Sequence, residues 1–332
     1  MSAALPTNTT TAEAFAAKYA DIVAGKTIMT TGVSPNSIGS AFVTALATQK
    51  PSTLILAGRN AAKLQQTADA IAKVNADVKV KTLIFDMLSF ADVRRAAAEV
   101  MAWEDVPAID VLVNNAGVMA VPYALTVDGV ESHLAANHLA HFLFTNLIMD
   151  KILASPAPRV VNITSDGHRM SAIRSYDHNF DNGKTYNRWV AYAQSKTANM
   201  LFSKSLAEKL GKRGLLSYSV HPGLIMSTSL ASHLDMESFV DLAQADRDHG
   251  NFAGWLTAAD FPKYEVSVEV GAATHVFASF EPSLKDHNGT YLLDARVADP
   301  YKDTYRSWAR DPIEADQLWT LSEKFVGQEF SY

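Results

Sequence analysis

A tyrosine and a lysine stand four residues apart in Ala191-Tyr192-Ala193-Gln194-Ser195-Lys196, a spacing that puts both on one face of a helix. Proton transfer at an oxygen is the chemistry such a pair suits. An alcohol that is to lose hydride must also lose its hydroxyl proton to a base, and a carbonyl being reduced takes a proton from the same group acting as an acid. A free phenol, with a pKa of about 10, is a poor base near neutrality; a nearby ammonium favours phenolate and lowers that value. Ser165 closes the run Val160-Val161-Asn162-Ile163-Thr164 and can hold the reacting oxygen by a hydrogen bond. Asn137, in Ala136-Asn137-His138-Leu139, can orient a water that connects the lysine to solvent. Taken singly each residue is commonplace, since a buried tyrosine with a satisfied hydroxyl is the usual case. Their order along the chain, at strand ends, is what gives them meaning.

Thr31-Gly32-Val33-Ser34-Pro35-Asn36-Ser37-Ile38-Gly39 joins a short apolar run to a helix. Glycine at such a junction permits a tight turn and lets backbone N–H groups approach a pyrophosphate at the positive helix end; Gly32, Ser34, Asn36, Ser37, Ile38 and Gly39 are the candidates here. An ordinary strand-to-helix turn has the same look, and only two glycines are present. The next strand ends Ala57-Gly58-Arg59-Asn60. An acid near that position binds the ribose hydroxyls of NAD, whereas an arginine accommodates the 2′-phosphate of NADP, so Arg59 points to NADP(H). The bland alternative is a solvated Arg59 with Asn60 capping the next helix. Asp86, after the third strand, either accepts from the adenine amino group or begins the following helix. Asn114-Asn115-Ala116-Gly117 follows the fourth; its amides can stitch strand ends together and line the cofactor floor, with Gly117 leaving space for the cofactor, or the stretch is simply a turn. An oxidised nicotinamide would add positive charge beside Tyr192.

The elements that must position these groups alternate. A helix over Ala12 to Val23 is followed by a strand at Thr27–Thr30, then a helix carrying Ile38, Phe42, Ala45 and Leu46 on one side. Leu54–Leu56 precedes a helix with Leu64, Ala68, Ile71 and Val74 on one stripe, and Val80–Phe85 precedes one for which Ser89 and Asp92 form a capping box. Ile109–Val113, Val160–Thr164, Leu216–Val220 and Tyr291–Leu293 read as further strands, separated by helices near Val130–Ile152 and Trp189–Leu210. Continuous β-branched runs without polar alternation are what parallel strands covered on both faces look like. The expectation is an α/β Rossmann fold, a doubly wound parallel sheet with helices on both faces, as a single domain over 26–332 behind an N-terminal helical extension of residues 1–25. Ligands of such sheets lie beyond the carboxyl ends of the strands.

Composition narrows the class. The 332 residues are 48% hydrophobic, enough for a substantial core. A net charge of −6 offers no broad surface for nucleic acid. The absence of cysteine excludes disulfides, thiolate metal sites and a thiol nucleophile, and accords with a reducing compartment. No run approaches the roughly 18 apolar residues of a membrane-spanning helix, and neither Met1–Thr11 nor Phe330-Ser331-Tyr332 resembles a targeting segment. A soluble cytoplasmic protein is expected.

The same residues carry a family resemblance. From about Lys26 to the C-terminus the chain resembles the short-chain dehydrogenase/reductase superfamily, and within it the branch similar to retinol dehydrogenases and the WW-domain-containing oxidoreductase. The likeness rests on the Thr-Gly loop, Leu54–Asn60, Asn114–Gly117, Asn137-His138-Leu139-Ala140-His141-Phe142, Arg159–His168, Tyr192–Lys196 with Thr197-Ala198-Asn199, and His221-Pro222-Gly223. It implies a catalytic tetrad of Asn137, Ser165, Tyr192 and Lys196. It also implies that Pro222-Gly223 lies beside the nicotinamide, with a hydroxyl from Ser227 or Thr228 near the carboxamide. One departure stands out: the family loop reads TGxxxGxG, but here an extra residue separates Gly32 from Gly39 and Ser37 stands where the middle glycine belongs.

Three other readings compete. His133, His138 and His141 suggest a metal, though no carboxylate is suitably placed with His138 and His141 and helix packing explains them. Ser165, Asp166 and His168 suggest a hydrolase, but no GxSxG elbow is present and neighbours in sequence seldom form a triad. A non-catalytic NADP(H) sensor or scaffold would usually lack the Tyr/Lys pair. The segment 226–262, with Leu230, Leu234, Met236, Phe239, Leu242, Phe252, Trp255 and Phe261, is expected to be a helical lid whose apolar content suits a lipophilic small molecule. Retinoid, steroid, fatty aldehyde and secondary-metabolite ketone all stay open, as does the direction of reaction. Leu318, Leu321 and Phe325 give the C-terminal helix an apolar face for its own domain or for a second subunit in a homo-oligomer.

Overall fold

The structure, a computed structural model, describes residues 8–251 and 261–332. Two short helices, α1 (Ala12–Lys18) and α2 (Ala20–Val23), replace the single N-terminal helix expected from sequence. The break falls at Tyr19, whose ring is buried and whose hydroxyl donates to Glu281 Oε2 at 2.7 Å. Ala12, Ala16, Tyr19 and Val23 belong to the same apolar core as one face of the sheet.

Strands and helices then alternate: β1 (Thr27–Thr31), α3 (Ile38–Ala47), β2 (Thr53–Gly58), α4 (Ala61–Val74), β3 (Lys79–Ile84), α5 (Phe90–Ala102) and β4 (Val111–Asn114). A three-residue helix α6 (Ser132–Leu134) runs through a π-helical stretch, Ala135–Leu139, into α7 (Ala140–Leu147) and α8 (Met149–Leu153). After β5 (Arg159–Ile163) come α9 (Arg188–Leu210), β6 (Leu216–His221), α10 (Met236–Asp248), α11 (Phe261–Tyr264), α12 (Val268–Phe280), β7 (Tyr291–Leu293), β8 (Arg296–Val297) and α13 (Pro312–Val326). The sheet order is β3-β2-β1-β4-β5-β6-β7-β8, with the first seven strands parallel and β8 antiparallel to β7. This is a Rossmann-type doubly wound sheet. Its direction reverses between β1 and β4, so the crevice opens beyond Thr31 and Asn114.

Alternate residues of the inner strands feed opposite cores. Met29, Ile55, Leu112 and Val160 face one; Ile28, Leu54, Val111 and Val161 face the other. The edge strands depart from full cover: Lys79, Thr82 and Ile84 of β3 are exposed, and Arg296 and Val297 of β8 are half-buried. The expected capping box at α5 is half present. Ser89 Oγ accepts from Asp92 N at 3.3 Å, but the Asp92 carboxylate accepts from Asp86 N at 2.6 Å and from Arg95 at 2.7 Å instead of turning back to the cap. Among the described residues no helix is long and apolar enough to cross a membrane.

Candidate active site

At the end of β1 the chain turns through Gly32, whose φ of +73° is left-handed and where a Cβ would come within 2.6 Å of Ala116 Cα. No other residue fits that turn. Ser37, in the place of the family's middle glycine, caps α3: its Oγ accepts from Ser40 N at 3.1 Å and donates to Gly32 O at 3.2 Å, while Ser40 Oγ accepts from Ser37 N at 3.2 Å. The hydroxyl therefore spans the enlarged loop and leaves the first-turn N–H groups of α3, including those of Ile38 and Gly39, at a positive helix end. Thr67 Oγ1 ties the loop to α4 through Val33 O at 2.6 Å. Ser34 and Asn36 lie in the same loop, Asn36 with a left-handed φ of 58°.

The Asn115-Ala116-Gly117 turn is stitched to this loop. Asn115 Nδ2 donates to Thr31 O at 2.8 Å and Gly32 O at 3.0 Å, and Thr31 Oγ1 accepts from Asn115 N and Ala116 N. Asn114 Nδ2 bridges to Asn162 Oδ1 at 2.8 Å and to Thr145 Oγ1 at 3.0 Å, joining β4 to β5 and α7 as the sequence suggested. Arg59 is exposed at the end of β2 and, among the described residues, engages no carboxylate. Asn60 does cap α4, accepting from Lys63 N at 2.9 Å, so its oxygen is committed and its amide NH2 is not. Asp86 does not begin α5. It accepts from Leu88 N at 3.0 Å in the turn before Ser89.

α9 carries the Tyr/Lys pair. Asn187 caps its start by accepting from Trp189 N and Val190 N, and the helix is buried on nearly every side through its first 16 residues, Arg188 to Ser203. Tyr192 and Lys196 are both buried. Lys196 Nζ donates to Ile163 O at 3.0 Å and stands 5.4 Å from the Tyr192 ring centre. Ser165 Oγ accepts from Gly167 N at 3.0 Å and hydrogen-bonds with the phenol. Burial pushes the phenol up to about 12, and the Ser165 hydrogen bond, which pulls it down, is the weaker influence. Burial drives the Lys196 ammonium down to about 7. The direction follows from desolvation, which disfavours phenolate; the lowering expected from sequence also counted on the positive charge of an oxidised nicotinamide.

Asn137 sits in the π-helical stretch. Its Nδ2 donates to Val118 O and to Ser195 Oγ, each at 2.9 Å, and its Oδ1 accepts from Val118 N at 2.8 Å. The side chain is thus a fastening, with little left to orient a water. At Gly117 a Cβ would lie 2.8 Å from Asn137 Oδ1 and 3.7 Å from Lys196 Nζ. Its small size lets the asparagine side chain approach this turn.

A cavity opens beside Ser165 and Tyr192, with Pro222 and Gly223 at the end of β6 on its wall. Met170, Trp189, Leu230, Phe239, Leu242 and Val266 give it an apolar lining. Thr228 lines it and is buried, whereas Ser227 is exposed and does not. Of the lid residues named from sequence, Phe252 and Trp255, and the side chains of Met236 and Phe261, lie outside the described residues. Spacing gave no sign of a buried ionic group. Arg169 clasps Asp246 of α10 with two bonds of 2.8 Å and Asp166 with one of 3.1 Å, tying α10 to the turn after Ser165 across 77 residues of sequence.

The competing readings lose their partners. His168 Nδ1 bonds the main-chain Ser165 O at 2.9 Å and Asp166 pairs with Arg169, so no hydrolytic triad forms. His133 pairs with Glu131, His138 with Ser322 and His141 with Thr31; among the described residues no three His, Asp or Glu groups could hold a metal.

Residues 26–177 match the family model for short chain dehydrogenase. Retinol dehydrogenase 11 of Homo sapiens is 31% identical over 303 residues, covering 91% of this chain and 86% of that protein. Retinol dehydrogenase 13 of Homo sapiens is 32% identical over 308 residues, with coverage of 92% and 86%. The crystal structure of an uncharacterized protein from Mycobacterium paratuberculosis superposes with a TM-score of 0.66 at 29% identity, covering 93% of this chain and 96% of that one. With the strand order and these matches together, the chain belongs to the short-chain dehydrogenase/reductase superfamily of oxidoreductases, in its retinol dehydrogenase-like branch.

Proposed function

We propose that the protein moves hydride between NADP(H) and a carbonyl or alcohol carbon of a lipophilic small molecule, with Tyr192 as the proton donor or acceptor. The observation that carries this reading is the meeting of Tyr192 and Ser165 at an apolar cavity whose far wall is the Pro222-Gly223 turn of β6. The residues present suit a dinucleotide: the first turn of α3 offers N–H donors to a pyrophosphate, Arg59 a fork for a 2′-phosphate, Asn60 and Asp86 contacts for the adenosine half, and Asn115–Gly117 a floor. Pro222, Gly223 and Thr228 line the same cavity and would hold a nicotinamide ring and its carboxamide. When bound, that ring supplies or accepts the hydride.

The chain's own groups do the rest. Ser165 and Tyr192 hold the substrate oxygen, and Tyr192 passes a proton to it or takes one from it. A phenol held up at about 12 is fully protonated at neutral pH, the form that reduction needs. Lys196, brought down to about 7, exchanges a proton readily near neutrality and can restore the phenol after each turnover. Trp189, Phe239 and Leu242 exclude water, and 226–262 acts as the lid, favouring an apolar substrate body. The relatives named as retinol dehydrogenases agree with a lipophilic alcohol or aldehyde.

Consumption of NADPH with a panel of lipophilic aldehydes and ketones tests this. Wild-type protein should turn over, and Tyr192→Phe should bind NADPH with unchanged affinity while losing at least about a hundredfold in kcat, the usual scale of a lost acid–base group. Full activity in Tyr192→Phe would sink the assignment.

A further inference from the structure

Of the three histidines around Asn137, His141 is the one whose two ring nitrogens join the nucleotide turn to the Asn137 backbone, whereas His133 is engaged at both nitrogens by Glu131 and the Val121 N–H. It is buried, four residues after Asn137 in the first turn of α7, just beyond the π-helical stretch. Its Nδ1 lies 3.0 Å from Asn137 O and its Nε2 lies 3.0 Å from Thr31 Oγ1. Each role follows by elimination. A carbonyl oxygen accepts and never donates, so Nδ1 carries the proton. Burial holds the imidazole neutral, pushed down to about 4, so Nε2 is bare and must accept from the Thr31 hydroxyl. The Thr31 oxygen is then left as acceptor for Asn115 N at 3.0 Å and Ala116 N at 2.9 Å. Every donor and acceptor is assigned, and the path runs one way: from the Asn115-Ala116 amides through Thr31 and His141 to the main-chain carbonyl of Asn137. By contrast His138, three residues earlier, bonds only Ser322 through Nε2 and leaves Nδ1 without a partner, which is ordinary packing.

We propose that His141 is a positioning residue: its imidazole, fixed as the Nδ1–H tautomer, sets the spacing between the turn that would cradle the dinucleotide and the Asn137 segment that faces Lys196. The inference rests on the functional reading above and assigns it one more residue. A π turn displaces the local backbone ladder by one residue and needs side chains to fix it. Here the fixing group reaches across to β1, so a shift at the nucleotide loop is transmitted to Asn137 and not absorbed by the helix.

Two near-isosteres separate the two ends. His141→Asn can still donate to Asn137 O but is too short to reach Thr31. His141→Gln can reach Thr31 but gives up the bond to its own turn. Losing one buried hydrogen bond corresponds to roughly a tenfold effect. His141→Asn is therefore expected to raise the NADPH dissociation constant, read by fluorescence quenching, by about tenfold with kcat at saturating NADPH nearly kept. His141→Gln is expected to lower kcat by about tenfold with NADPH affinity nearly kept. Two variants that differ from wild type only in melting temperature, or that change both constants alike, would overturn the inference. Should both fail to fold, Thr31→Ser, which keeps the hydroxyl, is compared with Thr31→Val, which does not; a selective loss of NADPH affinity in Thr31→Val supports the path, and equal affinities overturn it. Failure of the wild-type protein to bind NADPH would overturn the functional reading and this inference together, whereas wild-type turnover with indistinguishable variants overturns the inference alone.

Discussion

Gly117→Ala puts one methyl group between Asn137 and Lys196. The new carbon would sit 2.8 Å from Asn137 Oδ1, and ordinary contact begins near 3.4 Å, so the amide must retreat by about 0.6 Å. It cannot do so freely, because three hydrogen bonds hold it: Val118 N, Val118 O and Ser195 Oγ. Giving up one or two of these costs about 1–3 kcal/mol. Ser195 Oγ in turn donates to Tyr192 O at 2.7 Å, so the strain enters the helix turn that carries the phenol. The expected outcome is a loss of roughly ten- to a hundredfold in kcat, with melting temperature lowered by only a few degrees. Steady-state turnover beside a thermal melt measures both. A Gly117→Ala protein with kcat within twofold of wild type would refute the reasoning, since it would mean that the approach of Asn137 to Gly117 is slack.

Other outcomes follow from the same geometry. Arg59→Asp should shift preference from NADPH toward NADH by at least about tenfold in kcat/KM; an unchanged ratio removes Arg59 from phosphate recognition. Lys196 titrates near 7 in the folded chain against 10.5 in a free side chain, so between those values the unfolded chain holds more protons and stability rises with pH. Lys196→Met should accordingly stabilise the protein most below about pH 7, with the gain fading toward pH 10.5; melts across pH that run parallel for the two proteins would contradict this. Asp246→Ala takes both 2.8 Å bonds from the buried Arg169, at a cost of about 3 kcal/mol. Because α10 is held to the body by few such bonds, faster amide exchange confined to 236–248 is the expected signature, and unchanged protection there would count against the clasp.

The parallel sheet was legible because its inner strands are unbroken β-branched runs, and β1 through β7 fall within two residues of where patterning put them. The antiparallel β8 was not: two residues carry no periodicity. The N-terminal helix was read without its break because Tyr19 is a good helix residue in isolation, and only its tertiary bond to Glu281 shows why the chain bends there. Ser165, Tyr192 and Lys196 were legible because strand ends and helix spacing fix where they stand. The fastening of Asn137's side chain was not legible, because its partner Val118 lies in a loop with no pattern. The depth of burial of Tyr192 and Lys196 was not legible, because sequence shows which charges are neighbours but not how far they are desolvated. Arg169 and Asp246 meet only through the fold.

The burial of α9 around its acid–base pair divides the work of the molecule. A rod enclosed by its neighbours on almost every side cannot tilt or slide without disturbing both halves of the interior, so the proposed acid–base pair is carried on an element with little freedom to move. The opposite wall is another matter: α10 shows Val240 and Glu237 to solvent while turning Phe239 and Leu242 inward. Exchange of residues on that outer helix can resculpt the room for a guest molecule while the reacting atoms stay in register. If Tyr192 works as proposed, selectivity is therefore free to drift at little cost to that chemistry.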